Sequence, residues 1–201
     1  MADNKKLIEF NIKNAKYYIP NKTESPVPFG YSDSLALEAD YSEKVIYGDG
    51  IKIATLPNDK GKTGTLSLLA IDEAYEIAMK RRMKISTGTV EIKQTSAVEH
   101  HLYFETEYME GGTVKTAKTW VYGVTSGRPS QTYNQTTDDI NNNNISYSIS
   151  IKGTPVISGG KPYIDNEGNA VYAWQQTAIP GDANYDTFGT TFVPPTVSAE
   201  W

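Results

Sequence analysis

The sequence predicts a mainly β fold with one helix, an α+β arrangement of the β-sandwich kind. In this arrangement two packed sheets are flanked by a single α-helix, long loops and extended arms. Three observations predict it. Only residues 71–83 have helical periodicity, several other runs alternate between apolar and polar residues, and glycine- or proline-rich turns separate those runs. The length of 201 residues suits one domain, with a predicted core at 7–155 and a C-terminal segment, 156–201, of less regular pattern.

The predicted helix, residues 71–83, has one mostly apolar stripe. The stripe comprises Ile71, Ala74, Tyr75, Ala78, Met79 and Arg82, which are spaced three or four residues apart. Acidic residues lie near its start and basic residues at its end, which complements the helix dipole. We therefore expect it to pack across one face of a sheet, in a structural role.

Alternation predicts strands at 7–19, 34–39, 45–47, 51–53, 64–69, 88–94 and 145–151. The strongest β signal is a hairpin in which 101–109 and 114–124 flank Gly111 and Gly112. Residues 56–63 and 126–144 lack a core pattern and are predicted to be loops. A smaller hairpin is expected around 165–169.

The composition excludes several functional classes. The net charge of −5 and the isoelectric point near 5.1 disfavour a surface that binds nucleic acid generally. The chain has no cysteine, which excludes disulfides and thiolate metal sites. No targeting peptide or apolar run of membrane-spanning length is evident, so we expect folding in a cytoplasm.

The sequence motifs that would bind a nucleotide or a calcium ion are both incomplete. Residues 61–63 read Gly-Lys-Thr, but a phosphate loop requires glycine five residues earlier, where Leu56 stands. Residues 182–186 have the spacing of oxygen ligands that opens a calcium loop, but Thr187 and Val193 replace the required Gly and Glu. The sequence therefore predicts no cofactor and no metal at either motif.

Catalytic arrangements are equally incomplete. Glu105 and Glu107 share one face of a predicted strand, as the carboxylates of glycosidases can, but solvated strands carry the same pattern. His100 and His101 are adjacent on a strand and point to opposite faces, which disfavours joint metal binding. Tyr163, Tyr172 and Trp174 remain candidates for a carbohydrate platform. No enzyme activity is predicted.

The order of elements resembles the major tail proteins, or tail tube proteins, of long-tailed, non-contractile bacteriophages of Gram-positive hosts. The similarity covers most of residues 8–155. It is carried by Phe-Asn-Ile-Lys-Asn-Ala-Lys-Tyr-Tyr at 10–18, Ser-Leu-Ala-Leu-Glu-Ala-Asp at 34–40 and Val-Ile-Tyr-Gly-Asp-Gly at 45–50. Gly-Thr-Leu-Ser-Leu at 64–68 before the helix, followed by the hairpin of 104–124, completes the order.

The resemblance implies a tail-tube-like fold and a structural virion protein. Such subunits form hexameric rings that stack into a hollow tube for DNA passage. The implied partners are other copies of the chain, a tape measure protein, a tail terminator and double-stranded DNA that passes without specific binding. A membrane and a cofactor are not implied. The location would be the phage tail, assembled in the host cytoplasm.

Two sets of residues are candidates for this role. Glu105 and Glu107 are candidates for the channel lining, because an acidic surface repels DNA phosphates. Loop residues are candidates for ring stacking and subunit contacts: Asp49, Asn58, Asp59, Lys60, Lys62, Arg128, Asn141 and Asn142. The alternative hypothesis is a soluble β-sandwich module that binds carbohydrate or peptide.

Overall fold

The computed structural model describes residues 9–131 and 144–197, and it confirms a mainly β fold with one helix. The first elements are β1 (Glu9–Tyr18), β2 (Val27–Pro28), β3 (Ser32–Gly48), β4 (Ile51–Leu68), α1 (Glu73–Ala78), β5 (Arg82–Ile85), β6 (Gly88–Glu91), β7 (His100–Glu110), β8 (Thr113–Ser126) and β9 (Ile145–Ile151). Short strands follow: β10 (Thr154–Pro155), β11 (Ile157–Ser158), β12 (Lys161–Pro162), β13 (Tyr172–Ala173) and β14 (Gln175–Ala178). A 3-10 turn spans Tyr185–Thr187.

The long strands belong to one antiparallel sheet of order β2-β1-β7-β8-β9-β4-β3, and β14 pairs with β8 as its eighth strand. The sequence predicted two packed sheets, whereas hydrogen bonds join these strands into one. The sheet curves until parts of β1 and β3 come within 8 Å of one another. Its two halves therefore enclose a core without separating into independent sheets.

The parts of β7 and β8 away from their connecting turn are buried on both faces. On the inner face, Leu102, Phe104 and Val121 join a large apolar cluster with residues of β1, β4, α1 and β9. On the outer face, Tyr103 and Trp120 join a second, mostly aromatic cluster with residues of the C-terminal segment. The predicted hairpin is thus confirmed, and its outer face is buried where Tyr103 and Trp120 lie.

The predicted helix of 71–83 is shortened to Glu73–Ala78. The Asp72 side chain caps its first turn by accepting a hydrogen bond from the Tyr75 N–H at 3.0 Å. Lys80 has a φ of 59°, which ends the helical path, and β5 begins two residues later. The chain turns there so that Arg81 becomes fully buried beside Glu76, with their side chains 2.9 Å apart. Burial of this ion pair decides the boundary, which periodicity could not indicate.

The C-terminal segment covers the outer face of the β1-β7-β8 region. Phe192 stacks on Tyr18 and His101, with ring centroids 4.6 and 4.5 Å apart. The indole N–H of Trp120 donates to the Phe188 carbonyl at 2.7 Å, and the Tyr122 hydroxyl donates to the Val193 carbonyl at 2.9 Å. This segment completes a second core that the sequence alone left without a role.

Candidate functional site

The outer half of the β3–β4 hairpin, here called the arm (residues 41–59), is a long and largely exposed ribbon. Its two strands pair with one another from Tyr41↔Asp59 to Gly48↔Ile51. Strand β9 pairs with β4 only over residues 62–68, so among the described strands the arm has no third strand. At about 3.3 Å per residue, the arm extends roughly 25 Å past the rest of the sheet.

Residues 56–63 were predicted to be a flexible loop, and this prediction is wrong. They continue β4, and all but the bulge at Lys60 and Gly61 face residues of β3 in register. The physical reason is the long β3 strand opposite, which supplies backbone partners to a stretch that lacks apolar alternation of its own. The prediction of separate strands at 34–39 and 45–47 is also corrected, because β3 is continuous from Ser32 to Gly48.

The arm ends in a two-residue turn at Asp49 and Gly50. Their φ angles are 51° and 79°, as a type I′ turn requires. Glycine suits the second position because it adopts positive φ without steric cost. This turn matches the twist of the flanking strands and holds the arm as a regular hairpin.

One face of the arm carries an exposed aliphatic stripe. In the register of the hairpin, Ile46, Ile51 and Leu56 fall on the same face, and the Ile53 side chain lies over Gly48 on that face. The exposed fractions are 38% for Ile46, 71% for Ile51, 69% for Ile53 and 50% for Leu56. We call these four residues the arm stripe. Contiguous exposed apolar side chains of this kind mark surfaces that contact other molecules.

The predicted stacking residues are distributed over different elements. Asp49 lies at the tip of the arm, Asn58 and Asp59 at its base, and Lys60 and Lys62 in β4 beyond it. Arg128 follows β8 and forms an ion pair with Glu91 near β6. Asn141 and Asn142 lie outside the described residues. Sequence reasoning missed the arm stripe, although the Asp-Gly turn between alternating runs was the signal for a hairpin there.

Glu105 and Glu107 lie half-buried on the face of β7 that points away from the main core. Lys13 forms an ion pair with Glu107 at 2.7 Å, and the hydrogen bond from Lys13 lowers the pKa of Glu107. The Glu105 carboxylate accepts hydrogen bonds from the Tyr103 hydroxyl and the Asn14 amide, each at 2.7 Å. Because these partners engage both carboxylates, this face is less negative than the sequence of β7 alone suggests.

The two histidines lie on opposite faces of β7, as the sequence predicted. His100 contacts the Tyr75 hydroxyl at 3.0 Å in the main core, and His101 accepts a hydrogen bond from the Gly123 N–H at 3.1 Å. Burial lowers the pKa of each to about 4. Both rings are therefore neutral at pH 7 and act as packing groups.

The described residues bring together no other obvious chemical centre. Within residues 9–131 and 144–197, no three His, Asp or Glu side chains lie close enough to hold a metal ion. In the same ranges, no helix is long and apolar enough to cross a bilayer. Tyr172 is exposed, Trp174 packs against the main core and Tyr163 lines a groove, so these three do not present a common aromatic platform.

No family model matches the chain, and no curated protein sequence matches it.

Proposed function

We propose that this protein is a structural virion protein, the major tail subunit that assembles into hexameric rings. The rings stack into a hollow tube through which DNA passes. The resemblance of residues 8–155 to tail tube proteins suggests the role. The arm, a two-stranded hairpin with an exposed aliphatic stripe, is the structural observation that supports it most.

Burial of the arm stripe would provide a driving force for assembly. Each fully buried Ile or Leu side chain contributes about 1.5–3 kcal/mol relative to an exposed one. Four such residues on one arm, repeated six times around a ring, would make a stacking contact strong enough to oppose the loss of rotational and translational freedom. The occupant of the stripe is then a second copy of the chain in the adjacent ring.

The free edge of β3 is a second feature that favours self-association. Among the described strands, β3 is the terminal member of the sheet and has β4 as its one partner. Unpaired edges are templates for pairing with another chain, and closure into a ring removes them. Glu105 and Glu107, which stay partly exposed beside the C-terminal segment, remain the candidates for the channel lining, with DNA as a passing partner that is not specifically bound.

Substitution of the arm stripe tests the proposal. We expect the wild-type protein to form rings or tubes at high concentration in negative-stain electron microscopy and sedimentation velocity. The variant Ile51→Ser/Ile53→Ser should fold with an unchanged thermal midpoint, because both side chains are exposed, but should not stack. The matched control, Tyr31→Ser/Tyr172→Ser, removes side chains of similar exposure outside the arm and should assemble as the wild type does.

A shortened arm tests reach while it keeps Ile46, Ile51 and Ile53 of the arm stripe and removes Leu56. Deletion of 42–45 together with 55–58 removes four facing residue pairs and retains the turn, the facing parity of the strands and the register of the base. The arm then loses about 13 Å. A wild-type protein that stays monomeric up to its solubility limit would overturn the proposal, and normal tubes from both arm variants would overturn the role of the arm.

A soluble binding module is the second candidate. A groove of about 360 Å³ in the C-terminal segment is lined by Val156, Tyr163, Asp165, Asn166, Val171 and Val197. An aromatic ring beside a carboxylate and an amide suits a sugar or a peptide side chain. A monomeric protein that binds glycans in an array through Tyr163 would favour this candidate over the tube.

A further inference from the structure

A second exposed apolar surface lies on the β5–β6 hairpin. Its register pairs Met83 with Val90 and Ile85 with Gly88, so Met83, Ile85 and Val90 share one face. These three side chains are 46%, 45% and 38% exposed. Within the described residues, the two apolar clusters do not include them. We call these three residues the hairpin face, which the subunit itself leaves largely uncovered.

The opposite, polar face of the same hairpin is fastened to the subunit. Thr89 donates a hydrogen bond to the Glu73 carboxylate of α1, and Glu91 forms an ion pair with Arg128, which follows β8. An antiparallel ribbon ordinarily turns its apolar face to the core and its polar face to water. Here the arrangement is reversed. The hairpin face is therefore held outward before a partner binds, which reduces the ordering cost of covering it.

The hairpin face and the arm stripe lie at opposite ends of the sheet. α1 and the hairpin follow the end of β4 at Leu68, and Arg81 donates to the Ser126 carbonyl at the end of β8, at 3.2 Å. Because β4 and β8 are each antiparallel to β9, these two strand ends lie at the same end of the sheet. The arm extends from the other end of β4. Leu56, the stripe residue nearest to Leu68, is roughly 40 Å from it at about 3.3 Å per residue.

That separation determines which molecule can cover either surface. Each strand of the hairpin has four residues and is roughly 13 Å long, too short to reach the arm stripe of its own subunit. A second copy displaced along the strand direction brings its arm to the hairpin face of the first. Such a contact joins two different surfaces, so it does not close between two copies and repeats along an axis.

The two surfaces also match in form and chemistry. Each is one face of a two-stranded antiparallel ribbon, and two such faces pack about 10 Å apart with interdigitating side chains. The arm stripe is aliphatic, and the flexible Met83 of the hairpin face adapts to branched side chains. Lys44 faces Leu56 at the end of the stripe farthest from the turn, which places its charge at the rim of the contact.

We propose that the arm stripe of one subunit packs on the hairpin face of a second copy in the adjacent ring. This inference rests on the proposed function and identifies the surface that receives the arm. Burial of the two apolar faces supplies the free energy of the contact, and the fastened hairpin receives the arm without rearrangement.

A mixing experiment tests the pairing. Met83→Ser/Ile85→Ser retains the arm stripe and loses the hairpin face, whereas Ile51→Ser/Ile53→Ser has the opposite defect. Each variant alone should keep its thermal midpoint, because all four side chains are exposed, and should stack at least about tenfold more weakly than the wild type. Mixed together, the two variants should form assemblies two layers deep and no deeper, since one intact arm stripe then meets one intact hairpin face.

Sedimentation velocity and negative-stain electron microscopy measure the number of layers, whether the products are dimers or double rings. The matched control is Ile164→Ser/Tyr172→Ser in the C-terminal segment, where the two side chains are 50% and 54% exposed. This variant should stack as the wild type does.

Cysteine cross-linking gives an independent readout, because the native chain contains no cysteine. A mixture of Ile53→Cys and Val90→Cys subunits should form a covalent heterodimer with a short bismaleimide. A mixture of Ile53→Cys and Tyr172→Cys subunits should not. A product that joins two Ile53→Cys copies to each other would show that arms pack on arms and would overturn the contact.

The outcomes separate the two proposals. A wild-type protein that never associates removes the proposed function and this inference together. Normal stacking of Met83→Ser/Ile85→Ser beside a wild type that forms tubes overturns the arm–hairpin contact and leaves the tube proposal standing. A mixture of the two variants that does not associate does the same. Assemblies that stop at two layers, with the expected cross-link, support the contact.

Discussion

The two halves of the β3–β4 hairpin share a backbone register but differ in burial. At the base, Leu66 and Leu68 are buried in the main core, because β9 pairs with the far edge of β4. In the arm, Ile51 and Leu56 belong to the same strand and are exposed. The apolar side chains of β4 are thus buried where a third strand pairs with it. Where it is missing, the same pattern leaves a surface that another molecule can cover.

The largest expected effect is the difference in unfolding free energy between a leucine truncated in the base and a leucine truncated in the arm. Leu68→Ala removes a fully buried side chain and should lower the free energy of unfolding by about 2–5 kcal/mol. Leu56→Ala removes a half-exposed one and should change it by less than about 0.5 kcal/mol. Urea denaturation of the monomeric protein measures both. Equal losses would show that the arm is packed in solution and that Leu56 is not exposed.

A second expected effect concerns acid. The two histidines of the chain lie in the enclosed part, and burial lowers the pKa of each from 6.5 to about 4. The unfolded chain therefore binds protons that the folded chain does not. Stability is fully present above pH 6.5 and is lost as the pH falls towards 4. The loss should be on the order of 2 kcal/mol per histidine.

The measurement is the unfolding free energy at several values between pH 7 and pH 4. In His101→Gln the pH dependence should be about half that of the wild type, whatever the stability at pH 7. An unchanged pH dependence in this variant would mean that His101 has the same pKa in the folded protein as in the unfolded chain. Leu56→Ala should retain the wild-type pH dependence, since the arm contains no histidine.

The smallest expected effect is local to the tip of the arm. Gly50→Ala places a side chain at a φ of 79° and should destabilise the turn by about 1 kcal/mol. The global unfolding free energy should change by less than about 0.5 kcal/mol, while amide hydrogen exchange in the arm should accelerate about fivefold. Asp49→Asn is the control, because asparagine also tolerates positive φ. Exchange that accelerates equally in β7 and β8 would contradict an independently ordered arm.

Local sequence patterns predicted much of the sheet. The strands at Glu9–Tyr18, His100–Glu110, Thr113–Ser126 and Ile145–Ile151 lie close to their predicted positions. Each has strong alternation or a glycine turn beside it, so residues a few positions apart are enough to predict the strand. Residues 56–63 lack such a pattern. They form a strand because they pair with β3, and local propensity does not indicate that pairing.

The candidate surfaces were harder to predict than the strands. Alternation identifies which residues share a face, but it does not say which face is covered. Tyr103 and Trp120 both lie beneath the C-terminal segment, and no alternation within β7 or β8 indicates that cover. A bulge at Gly123, with a φ of 63°, reverses the alternation between Tyr122 and Val124 and depends on close contact with Gly153.

By itself, the amino-acid order determined the β class, the short turns and the alternation of most strands, because these depend on residues a few positions apart. The tertiary structure decided the length of the helix, the second core and the exposure of the arm stripe. Those outcomes depend on contacts between distant segments, such as Arg81 with the Ser126 carbonyl, Phe192 on His101, and β9 along only part of β4. Burial is a property of the assembled chain, and no local pattern encodes which of two apolar faces finds a partner.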